Sequence, residues 1–405
     1  MSAVGFQDDL PRVHVAQPVV PHYRVPFFDA LADKFGARLF VSASNNHAGG
    51  PSSALVQRSY LDLQHDCSPL LGGKLLWQRG LRLHADFGPG DVAVVAGNPR
   101  YVSTFKFAYQ ARRRGLGLVI WSQLWSATST RLRAAVRRRL LESADAVLTY
   151  TDYEAEQLRA DIGARVAVFG AQNAVDQEPL RAARNAWNPE QLAEFQRTHA
   201  LSGRQVLVFC GRLRSVPPSR LDLVLAAMAE LLKKNPNYLL VIIGDGDERG
   251  RLGRLADELG VASSIRWLGA QYDESANAPW FMSAFCSVYP GAIGLSMMHS
   301  LGYGVPVITH SDRLQHGSEF AALRPGWNGL VFSPGDPSDL ARQIELLRED
   351  WDLRRAMSEN AIRTVNEDFS LGNMVERFIL AVRAASEQSL QRASRETRVG
   401  IQEGR

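Results

Sequence analysis

Residues 287–309, SVYPGAIGLSMMHSLGYGVPVIT, carry the signals of a strand, a turn, a helix and a second strand in that order. A short apolar run ends at Tyr289 and is followed by a Pro-Gly pair. Apolar side chains then recur at helical spacing from residue 295 to residue 301, and Gly302 and Gly304 end that pattern. Residues 305–309 are β-branched apart from Pro306, which is typical of a buried strand. The stretch therefore predicts one β–α–β step of a parallel sheet.

The turn inside this stretch has the composition of an anion-binding site. A helix N-terminus presents unpaired backbone N–H groups and the positive end of the helix dipole. Gly291 and Gly294 let a bulky anion approach the backbone. Ser296 and His299 lie three residues apart, so both can face one bound group. A packed β–α–β step that binds nothing fits the same residues equally well.

Length and composition favour a multi-domain globular protein. The chain has 405 residues, which predicts two or three domains, and its 45% hydrophobic and 22% charged residues are typical of soluble domains. No apolar run approaches the length of a transmembrane helix, and the N-terminus has no pattern of a secretory signal. The three cysteines are scattered, without metal or disulfide spacing, so we expect a reduced, cytoplasmic protein. No cofactor is expected.

The net charge of +4 is unevenly distributed along the chain. Ten basic residues and no acidic one lie between residues 100 and 140: Arg100, Lys106, Arg112, Arg113, Arg114, Arg131, Arg133, Arg137, Arg138 and Arg139. Such a stretch attracts an anionic membrane surface or nucleic acid. No nucleic-acid-binding motif accompanies it, so no nucleic-acid partner is expected. A basic helix over residues 128–143 fits a membrane surface and equally fits a solvated charged face.

Strand and helix patterns alternate along most of the chain, which predicts an α/β fold with parallel sheets. Residues 44–75 are predicted as a loop-rich excursion, and residues 75–83 as a helix that follows it. We predict an N-terminal domain over residues 1–170, a linker over 171–203 and a C-terminal domain over 204–368. The remainder, 369–405, is predicted as a helix from 370 to 385 and a frayed tail.

Two such domains in tandem leave a cleft, and ligands of open parallel sheets bind beyond the carboxyl ends of the strands. In the second half, that edge carries the loops 211–220, 244–247, 269–272 and 291–296. In the first half, it carries the loops 21–24, 98–101 and 122–129. We therefore expect the ligand in the cleft, although topology alone names no substrate.

Five segments of the second half stand in a recognisable order: GRL at 211–213, IIGDGDERGRLGRLADELGV at 242–261, IRWLG at 265–269, the glycine-turn block at 290–309 and WNGLVFSPGDPSDLA at 327–341. With this order and spacing, the second half resembles the C-terminal domain of a GT-B glycosyltransferase, most closely glycosyltransferase family 4. The first half matches loosely, through VLTYTDYEAEQLRA and VFGAQNAVD. The resemblance implies two Rossmann-like domains whose parallel sheets face a cleft, with the last helix crossing back onto the first domain.

The resemblance also implies transfer of a sugar from a nucleotide-diphosphate donor, such as a UDP- or GDP-sugar, with retention of anomeric configuration and usually without a bound metal. Arg212 and Arg220 would then hold the diphosphate and His299 the ribose, as the catalytic set. Ala270 and Gln271 would contact the base through the backbone. The donor-binding candidates are Gly211, Arg214, Ser219, Gly244, Ala270, Gln271, Gly291, Ala292, Gly294, Leu295, Ser296 and Glu319.

The chain departs from the family pattern inside this site. Family members usually carry glutamates at the positions of Gly291 and His299, and a Lys-Gly pair near those of Ser219 and Arg220. Arginine forks suit phosphate oxygens, so Arg220 or Arg214 could replace the lysine and stabilise the charge of the leaving diphosphate. The missing glutamates leave open a catalytically silent nucleotide-binding protein. An epimerase would need flanking carboxylates, which are not found.

By the same resemblance, the acceptor-binding candidates are His22, Tyr23, Arg24, Asn98, Arg100 and Gln123. Gln123 stands where the family often has a histidine or an aspartate, and an amide cannot act as a base, so no general base is named. The basic stretch favours a lipid-linked or saccharide acceptor at the inner face of a membrane, as in surface polysaccharide biosynthesis. A soluble acceptor, as in natural-product glycosylation, is the alternative.

Overall fold

The computed structural model describes residues 10–45, 53–54, 56–124, 131–163, 166–216 and 218–403. The chain divides into two compact units. The first contains the described residues up to Asn173 and those from Leu371 onward, and the second contains Ala174–Ser370. Each unit is built on one parallel β-sheet with helices packed against it, so the predicted α/β class with parallel sheets is confirmed.

The first unit has the parallel strands β1 (Val13–Ala16), β2 (Leu39–Ser44) and β3 (Leu61–His65), the hairpin strands β4 (Cys67–Leu70) and β5 (Leu75–Gln78), and the parallel strands β6 (Val92–Ala96), β7 (Gly117–Ser122), β8 (Ala146–Thr149) and β9 (Ala167–Gly170). The seven parallel strands are ordered β3-β2-β1-β6-β7-β8-β9, and β4 pairs with β5 alone. Its helices include α1 (Val25–Phe35), α2 (Val102–Arg113), α3 (Arg131–Glu142) and α4 (Asp152–Ile162). The central strands are buried along their whole length, as continuous apolar runs in a parallel sheet require.

The second unit has the helices α5 (Glu178–Asn185), α6 (Pro189–Thr198), α7 (Leu221–Lys234), α8 (Arg249–Glu258), α9 (Glu274–Ser283), α10 (Ser296–Gly302), α11 (Pro337–Glu349) and α12 (Trp351–Arg363). Its strands are β10 (Gln205–Cys210), β11 (Tyr238–Ile243), β12 (Ile265–Gly269), β13 (Cys286–Tyr289), β14 (Val307–His310) and β15 (Gly329–Phe332). They form a six-stranded sheet in the order β12-β11-β10-β13-β14-β15. The β–α–β step predicted from residues 287–309 is therefore β13-α10-β14, with β13 and β14 paired in parallel.

The last helix, α13 (Leu371–Glu403), packs on β7, β8 and β9 of the first sheet. A Cβ atom at Gly117 would lie 2.4 Å from the Ala385 carbonyl oxygen, so this close approach requires a glycine. The prediction of a frayed tail after residue 385 was wrong, because the helix continues to Glu403. Buried Ser389 donates a hydrogen bond to the Gly115 carbonyl, and Arg392 forms an ion pair with Asp145. These contacts hold the second half of α13 against the first unit.

Residues 75–83 are not a helix, and that prediction was wrong. They begin with strand β5, in which buried Leu76 and Gln78 alternate with half-buried neighbours. Gly80 then adopts a left-handed conformation with φ +76°. A short apolar run such as LLWQ fits either a strand or a helix, and pairing with β4 makes it a strand.

Residues 171–203, predicted as a linker, contain two helices of the second unit. Leu180 and Ala183 of α5 are buried in a core shared with Leu201 and Tyr303. A Cβ atom at Gly302 would meet the Gln177 side chain at 2.1 Å, because α5 lies directly on α10. From Ala174 onward, this segment is therefore part of the second unit's packing.

Candidate functional site

Three loops of the second unit touch each other through their backbones. They follow β10, β11 and β13, and β10 pairs with both of the other strands. A Cβ atom added to Gly244 would lie 1.9 Å from the Gly211 carbonyl oxygen. At Gly291, an added Cβ atom would lie 2.5 Å from the Pro218 carbonyl oxygen. The 211–220 and 291–296 loops can therefore contact each other because Gly291, which the sequence analysis singled out, has no side chain.

Arg212 is held at the end of β10 with its side chain exposed. The N–H groups of its two neighbours, Gly211 and Leu213, donate to the carbonyls of Ile243 and Asp245, both at 2.9 Å. Leu213 is fully buried, and alternation along an extended segment sends the Arg212 side chain to the opposite side. The backbone of this cation is therefore fixed while its guanidinium is available to an anion.

Arg214 is a second exposed cation of the same loop. Burial raises the pKa of Tyr289 at the end of β13, and the nearby Arg214 charge and a hydrogen bond with Ser296 act in the opposite direction. Ser219, which stands near the family's lysine position, is buried, and its N–H donates to the Arg214 carbonyl at 2.9 Å. The loop closes on itself, so Ser219 positions the backbone and presents no cation.

Arg220 has the backbone conformation of a glycine. It precedes α7 with φ +55° and ψ +27°, in the left-handed region. This agrees with its place at the glycine of the family's Lys-Gly pair. Its guanidinium lies 3.3 Å from Asp222, and 40% of the side chain is exposed. Arg220 is therefore already paired within the protein, unlike Arg212, for which the described part of the chain gives no ion pair.

A matched pair of substitutions separates the backbone of Arg220 from its charge. We expect Arg220→Gly to be more stable than Arg220→Ala by about 1 kcal/mol, because glycine adopts the left-handed region without strain. Both variants lose the same guanidinium, so both should bind UDP with the same affinity. Urea unfolding and calorimetric titration measure the two quantities. Equal stability of the two variants would contradict the strain argument.

The turn between β13 and α10 is anchored from below by a buried histidine. His316 Nδ1 accepts the Ile293 N–H at 3.2 Å, and its Nε2 lies 2.9 Å from the His310 carbonyl oxygen. The His316 ring stacks on the His310 ring at 3.9 Å and on the Phe320 ring at 4.3 Å. Burial, together with the neighbouring His310, lowers the pKa of His316 to about 4. His316 is therefore neutral at pH 7, as an acceptor for Ile293 requires.

The remaining residues of this turn face in different directions. In the part of the chain that the structure describes, the N–H groups of Leu295 and Ser296 have no hydrogen-bond partner. Ala292 is half-buried beside them. The carboxylate of buried Glu319 lies beneath the turn, 3.6 Å from the position of a Cβ atom at Gly294. The helix that follows, α10, has only seven residues, so its dipole is a small part of any attraction for an anion.

His299 forms a charged pair that the sequence did not indicate. Its Nε2 lies 3.0 Å from Glu274 Oε1, and the Tyr303 hydroxyl donates to Glu274 Oε2 at 2.7 Å. Burial alone would lower the pKa of His299, but the Glu274 carboxylate and a hydrogen bond to the Leu295 carbonyl outweigh it, so the pKa is raised. Burial opposes ionisation of Glu274 too, and His299 and Tyr303 still hold its pKa below the ordinary value. The pair therefore favours the imidazolium–carboxylate form.

Ala270 and Gln271 follow β12 at the same edge of the sheet. The Gly244 N–H donates to the Gly269 carbonyl at 2.7 Å, which ties this loop to the one after β11. Ala270 is exposed. Gln271 Oε1 is buried and has no hydrogen-bond partner among the described residues. Glu274, the partner of His299, begins α9 three residues after Gln271, so it lies on the same segment as the residues expected to contact the base.

In the first unit, a cavity of about 200 Å³ lies beyond the carboxyl ends of β1, β6, β7 and β8. It is lined by Gln17, Pro18, Val19, Pro21, Tyr23, Arg24, Phe28, Asn98, Tyr101, Trp121 and Tyr150. The predicted acceptor residues Tyr23, Arg24 and Asn98 are therefore brought together. The other predicted acceptor residues do not line it. His22 is exposed, Arg100 donates to the Gly73 carbonyl at 2.9 Å, and Gln123 is exposed.

Part of the basic stretch is engaged within the protein. Arg112 forms an ion pair with buried Asp145 at 2.8 Å, and Arg138 forms one with Glu142 at 2.8 Å. Three others donate to main-chain carbonyls: Arg100, Arg114 and Arg137. The side chains of Arg131 and Arg133 lie outside the described ones. Among described residues, Arg113 and Arg139 are exposed without an ion pair, so the membrane contact predicted for this stretch stays a prediction.

Within the described ranges, no helix combines the length and the apolar character needed to cross a membrane. The same ranges contain no group of three or more histidine, cysteine, aspartate or glutamate side chains placed to hold a metal ion.

Comparison with known proteins finds a family model that matches most of the second unit. Residues 191–364 match the family model described as glycosyl transferases group 1. The lipopolysaccharide core biosynthesis glycosyltransferase LpsE of Rhizobium meliloti is 30% identical over 155 residues, which cover 38% of this chain and 44% of that one. A D-inositol 3-phosphate glycosyltransferase of Corynebacterium jeikeium is 27% identical over 242 residues, covering 56% and 55%. The chain thus spans about half the length of these curated relatives.

Solved structures support the fold over nearly the whole chain. Anabaena HepE in complex with UDP superposes with a TM-score of 0.65 at 15% identity, covering 91% of this chain and 98% of that one. WaaG, a glycosyltransferase involved in lipopolysaccharide biosynthesis, superposes with a TM-score of 0.59 at 14% identity, covering 91% and 98%. At these identities, the likeness establishes the fold, which is GT-B.

Proposed function

We propose that the chain is a group 1 glycosyltransferase, which transfers a sugar from a nucleotide-diphosphate donor to a lipid-linked or saccharide acceptor. We propose a hexosyltransferase of the family 4 type that retains anomeric configuration. The pathway would be surface polysaccharide or glycan biosynthesis. These finer statements rest on the chemistry of the second unit's loops and on the names of similar proteins.

The observation that carries the proposal is the backbone contact between the 211–220 and 291–296 loops. A Cβ atom at Gly291 would lie within 2.5 Å of Pro218 O and 2.8 Å of Ser219 O. Arg212 and Arg214 are exposed on the first loop. On the second loop, the N–H groups of Leu295 and Ser296 have no hydrogen-bond partner among the described residues. Cations and amide donors on touching loops form a suitable site for one diphosphate.

The proposed chemistry stabilises the leaving group. When the bond between the sugar and the diphosphate breaks, negative charge grows on the diphosphate oxygens. Guanidinium groups on a fixed backbone stabilise that charge without reorganising. Arg212 is the main candidate, since Arg220 is shared with Asp222 at 3.3 Å.

The ribose contact is proposed to go through the pair of His299 and Glu274. The Nε2 atom of His299 is engaged with Glu274 at 3.0 Å, and the hydrogen bond to the Leu295 carbonyl engages the ring as well. Hydroxyl groups of a ribose are donors that a carboxylate accepts. We therefore assign the contact to the Glu274 carboxylate, with His299 holding it ionised.

The names of similar proteins suggest which substrates to test. HepE of Anabaena has been solved with UDP and with UDP-glucose, so UDP-glucose is our first proposed donor. LpsE is named for lipopolysaccharide core biosynthesis, which supports a surface-glycan acceptor. We propose that the chain works in the cytoplasm, peripherally at the inner face of the membrane. A soluble natural-product acceptor is the alternative.

A catalytically silent nucleotide-binding protein is a second candidate function. It is favoured by Gly291, because the contacts with Pro218 and Ser219 leave no room for the carboxylate that family members usually carry there. Such a protein would bind a nucleotide sugar without turning it over.

The test measures UDP binding and turnover together. We expect calorimetric titration to give a UDP affinity that Arg212→Gln weakens about ten- to a hundredfold, since a hydrogen bond to a charged group contributes about 1.5–3 kcal/mol. Arg395→Gln, an exposed arginine of α13, is the matched control and should bind UDP as the unmodified chain does.

Incubation with UDP-, GDP- and dTDP-sugars, with and without polyprenyl-phosphate-linked saccharides, then identifies the reaction. Transfer to an acceptor supports the proposal, and proton NMR of the product reports retention or inversion. Binding without any product supports the silent candidate. Absence of nucleotide binding refutes both.

A further inference from the structure

We propose that the cavity of the first unit binds an oxyanion, a phosphate or a carboxylate, carried on a sugar residue, with Arg24 as its counter-ion. Calling this group part of the acceptor rests on the proposed function. The binding itself rests on observations made within the first unit alone.

Arg24 is surrounded by aromatic rings. Its guanidinium carbon lies 5.4 Å from the centroid of the Trp121 ring, and 5.8 Å from those of Tyr150 and Tyr23. Rings at this distance attract a cation and hold a planar guanidinium in one orientation. Arg24 directly precedes α1 and is half-buried. The guanidinium is thus a fixed group of the cavity wall.

The hydrogen-bond partners of Arg24 are neutral. One terminal nitrogen donates to Asn173 Oδ1, and the other lies 3.5 Å from the Met374 sulfur. Within the described part of the chain, no carboxylate lies within ion-pair distance of this guanidinium. Arg112 and Arg377 of the same unit, by contrast, have Asp145 at 2.8 Å and Asp152 at 2.6 Å. A half-buried cation whose partners are all neutral leaves a positive charge at the cavity wall, and that charge attracts an oxyanion.

A second observation comes from Trp121. Its side chain lines the same cavity and the residue is only 5% exposed. Its Nε1–H group is buried, and the described residues offer it no acceptor. Buried N–H groups are nearly always paired, and leaving one unpaired is unfavourable by about 1–3 kcal/mol. Because this group is covered, an oxygen of a bound ligand would supply the missing acceptor only after a small shift of the ring.

The size and the wall of the cavity define the class of ligand. A volume of about 200 Å³ is below the 300–1,000 Å³ of sites for drug-sized ligands, so it suits a phosphate or one sugar residue. Asn98 and Gln17 add amide groups to the lining, which can bond sugar hydroxyls. The aromatic rings add flat apolar faces against which a sugar ring packs. The ligand is therefore an acidic or phosphorylated sugar.

Titration calorimetry with three soluble probes tests the inference. The probes are glucose 6-phosphate, glucuronate and uncharged methyl glucoside, each titrated into the full-length chain. We expect at least tenfold tighter binding of one or both anionic probes than of methyl glucoside. A preference for glucose 6-phosphate over glucuronate identifies the anion as a phosphate, and the reverse identifies a carboxylate. Equal binding of all three probes, or of none, overturns the proposal.

Variants locate the site. Arg24→Gln should lose the tenfold preference for the anion, Arg24→Lys should keep part of it, and Trp121→Phe should weaken binding of the favoured probe. Arg395→Gln, an exposed arginine of α13, is the control and should behave as the unmodified chain does. Far-ultraviolet circular dichroism confirms that each variant is folded. Retained preference in folded Arg24→Gln overturns the assignment.

UDP binding by the unmodified chain is measured in a separate titration. Its absence refutes the proposed glycosyl transfer without touching the anion site. Its presence, together with no anion preference, refutes the anion site alone.

Discussion

Gly291→Glu, the substitution that restores the family's glutamate, is expected to destabilise the protein by about 1–3 kcal/mol and to abolish detectable UDP binding. The Cβ atom alone would lie 2.5 Å from Pro218 O and 2.8 Å from Ser219 O. Both are main-chain atoms, so the 211–220 loop must move to admit any side chain. That movement would separate the two loops proposed to hold the diphosphate.

Gly294→Ala provides the control in the same turn. The nearest atom to its added Cβ is Glu319 Oε2 at 3.6 Å, an ordinary van der Waals contact. We expect its unfolding free energy to change by less than about 0.5 kcal/mol. Urea unfolding gives both stabilities, and UDP titration follows on the folded variants. If Gly291→Glu is as stable as Gly294→Ala, the loop contact is not as close as we describe.

The fold was predictable where a pattern is local and long. The β13-α10-β14 step and the alternation of strands and helices follow from apolar periodicity and glycine stops, and the structure has them. The strand β5 was missed because four residues, LLWQ, carry too little periodicity to separate a strand from a helix. Helix α5 was missed because its packing against Gly302 joins segments over a hundred residues apart in sequence.

The candidate site was predictable as a set of loops, but the interactions inside it were not. Sequence order places Gly291 and Ser219 on loops at the same edge of one predicted sheet, yet nothing in it reveals that their backbones touch. Glu274 lies 25 residues before His299, and no short motif predicts such a pair. The left-handed backbone of Arg220 had a usable signal, since it occupies a glycine position of the family pattern.

Acid is expected to destabilise the protein through His316. The pKa of His316 is about 4 in the folded chain and about 6.5 when unfolded, so the unfolded state binds the additional proton. Stability conferred by this histidine is therefore complete above about pH 6.5 and declines as the pH falls toward 4. For one group, the linkage relation gives a loss of about 2 kcal/mol between pH 7 and pH 5. The pKa of His310 is lowered as well, chiefly by burial, and acts in the same direction.

His299 has the opposite sign, because its pKa is raised. Its contribution is present below about pH 6.5 and is lost as the pH rises through the folded value. Between pH 7 and pH 5, His316 and His310 therefore lower the free energy of unfolding as the pH falls. His299 stays protonated in the folded state over most of that interval.

The variant His316→Phe isolates the contribution of His316 to the pH dependence of stability. It keeps an aromatic ring to stack on Phe320 but cannot titrate, so most of the loss of stability between pH 7 and pH 5 should disappear. At pH 7, it should be less stable by about 1–3 kcal/mol, because the Ile293 N–H loses its acceptor. His22 is an exposed histidine. Urea unfolding of His22→Gln at pH 5 and pH 7 should therefore show the same loss of stability as the unmodified chain.

The same titration connects stability to the proposed site. Protonated His316 cannot accept the Ile293 N–H at Nδ1, so the turn between β13 and α10 loses its anchor as the pH falls. The terminal phosphate of UDP also gains a proton near pH 6, so the test compares the two chains. UDP affinity should be weaker in His316→Phe at pH 7, and between pH 7 and pH 5 it should fall more in the unmodified chain than in His316→Phe. An equal fall in both chains would show that the turn does not depend on this histidine.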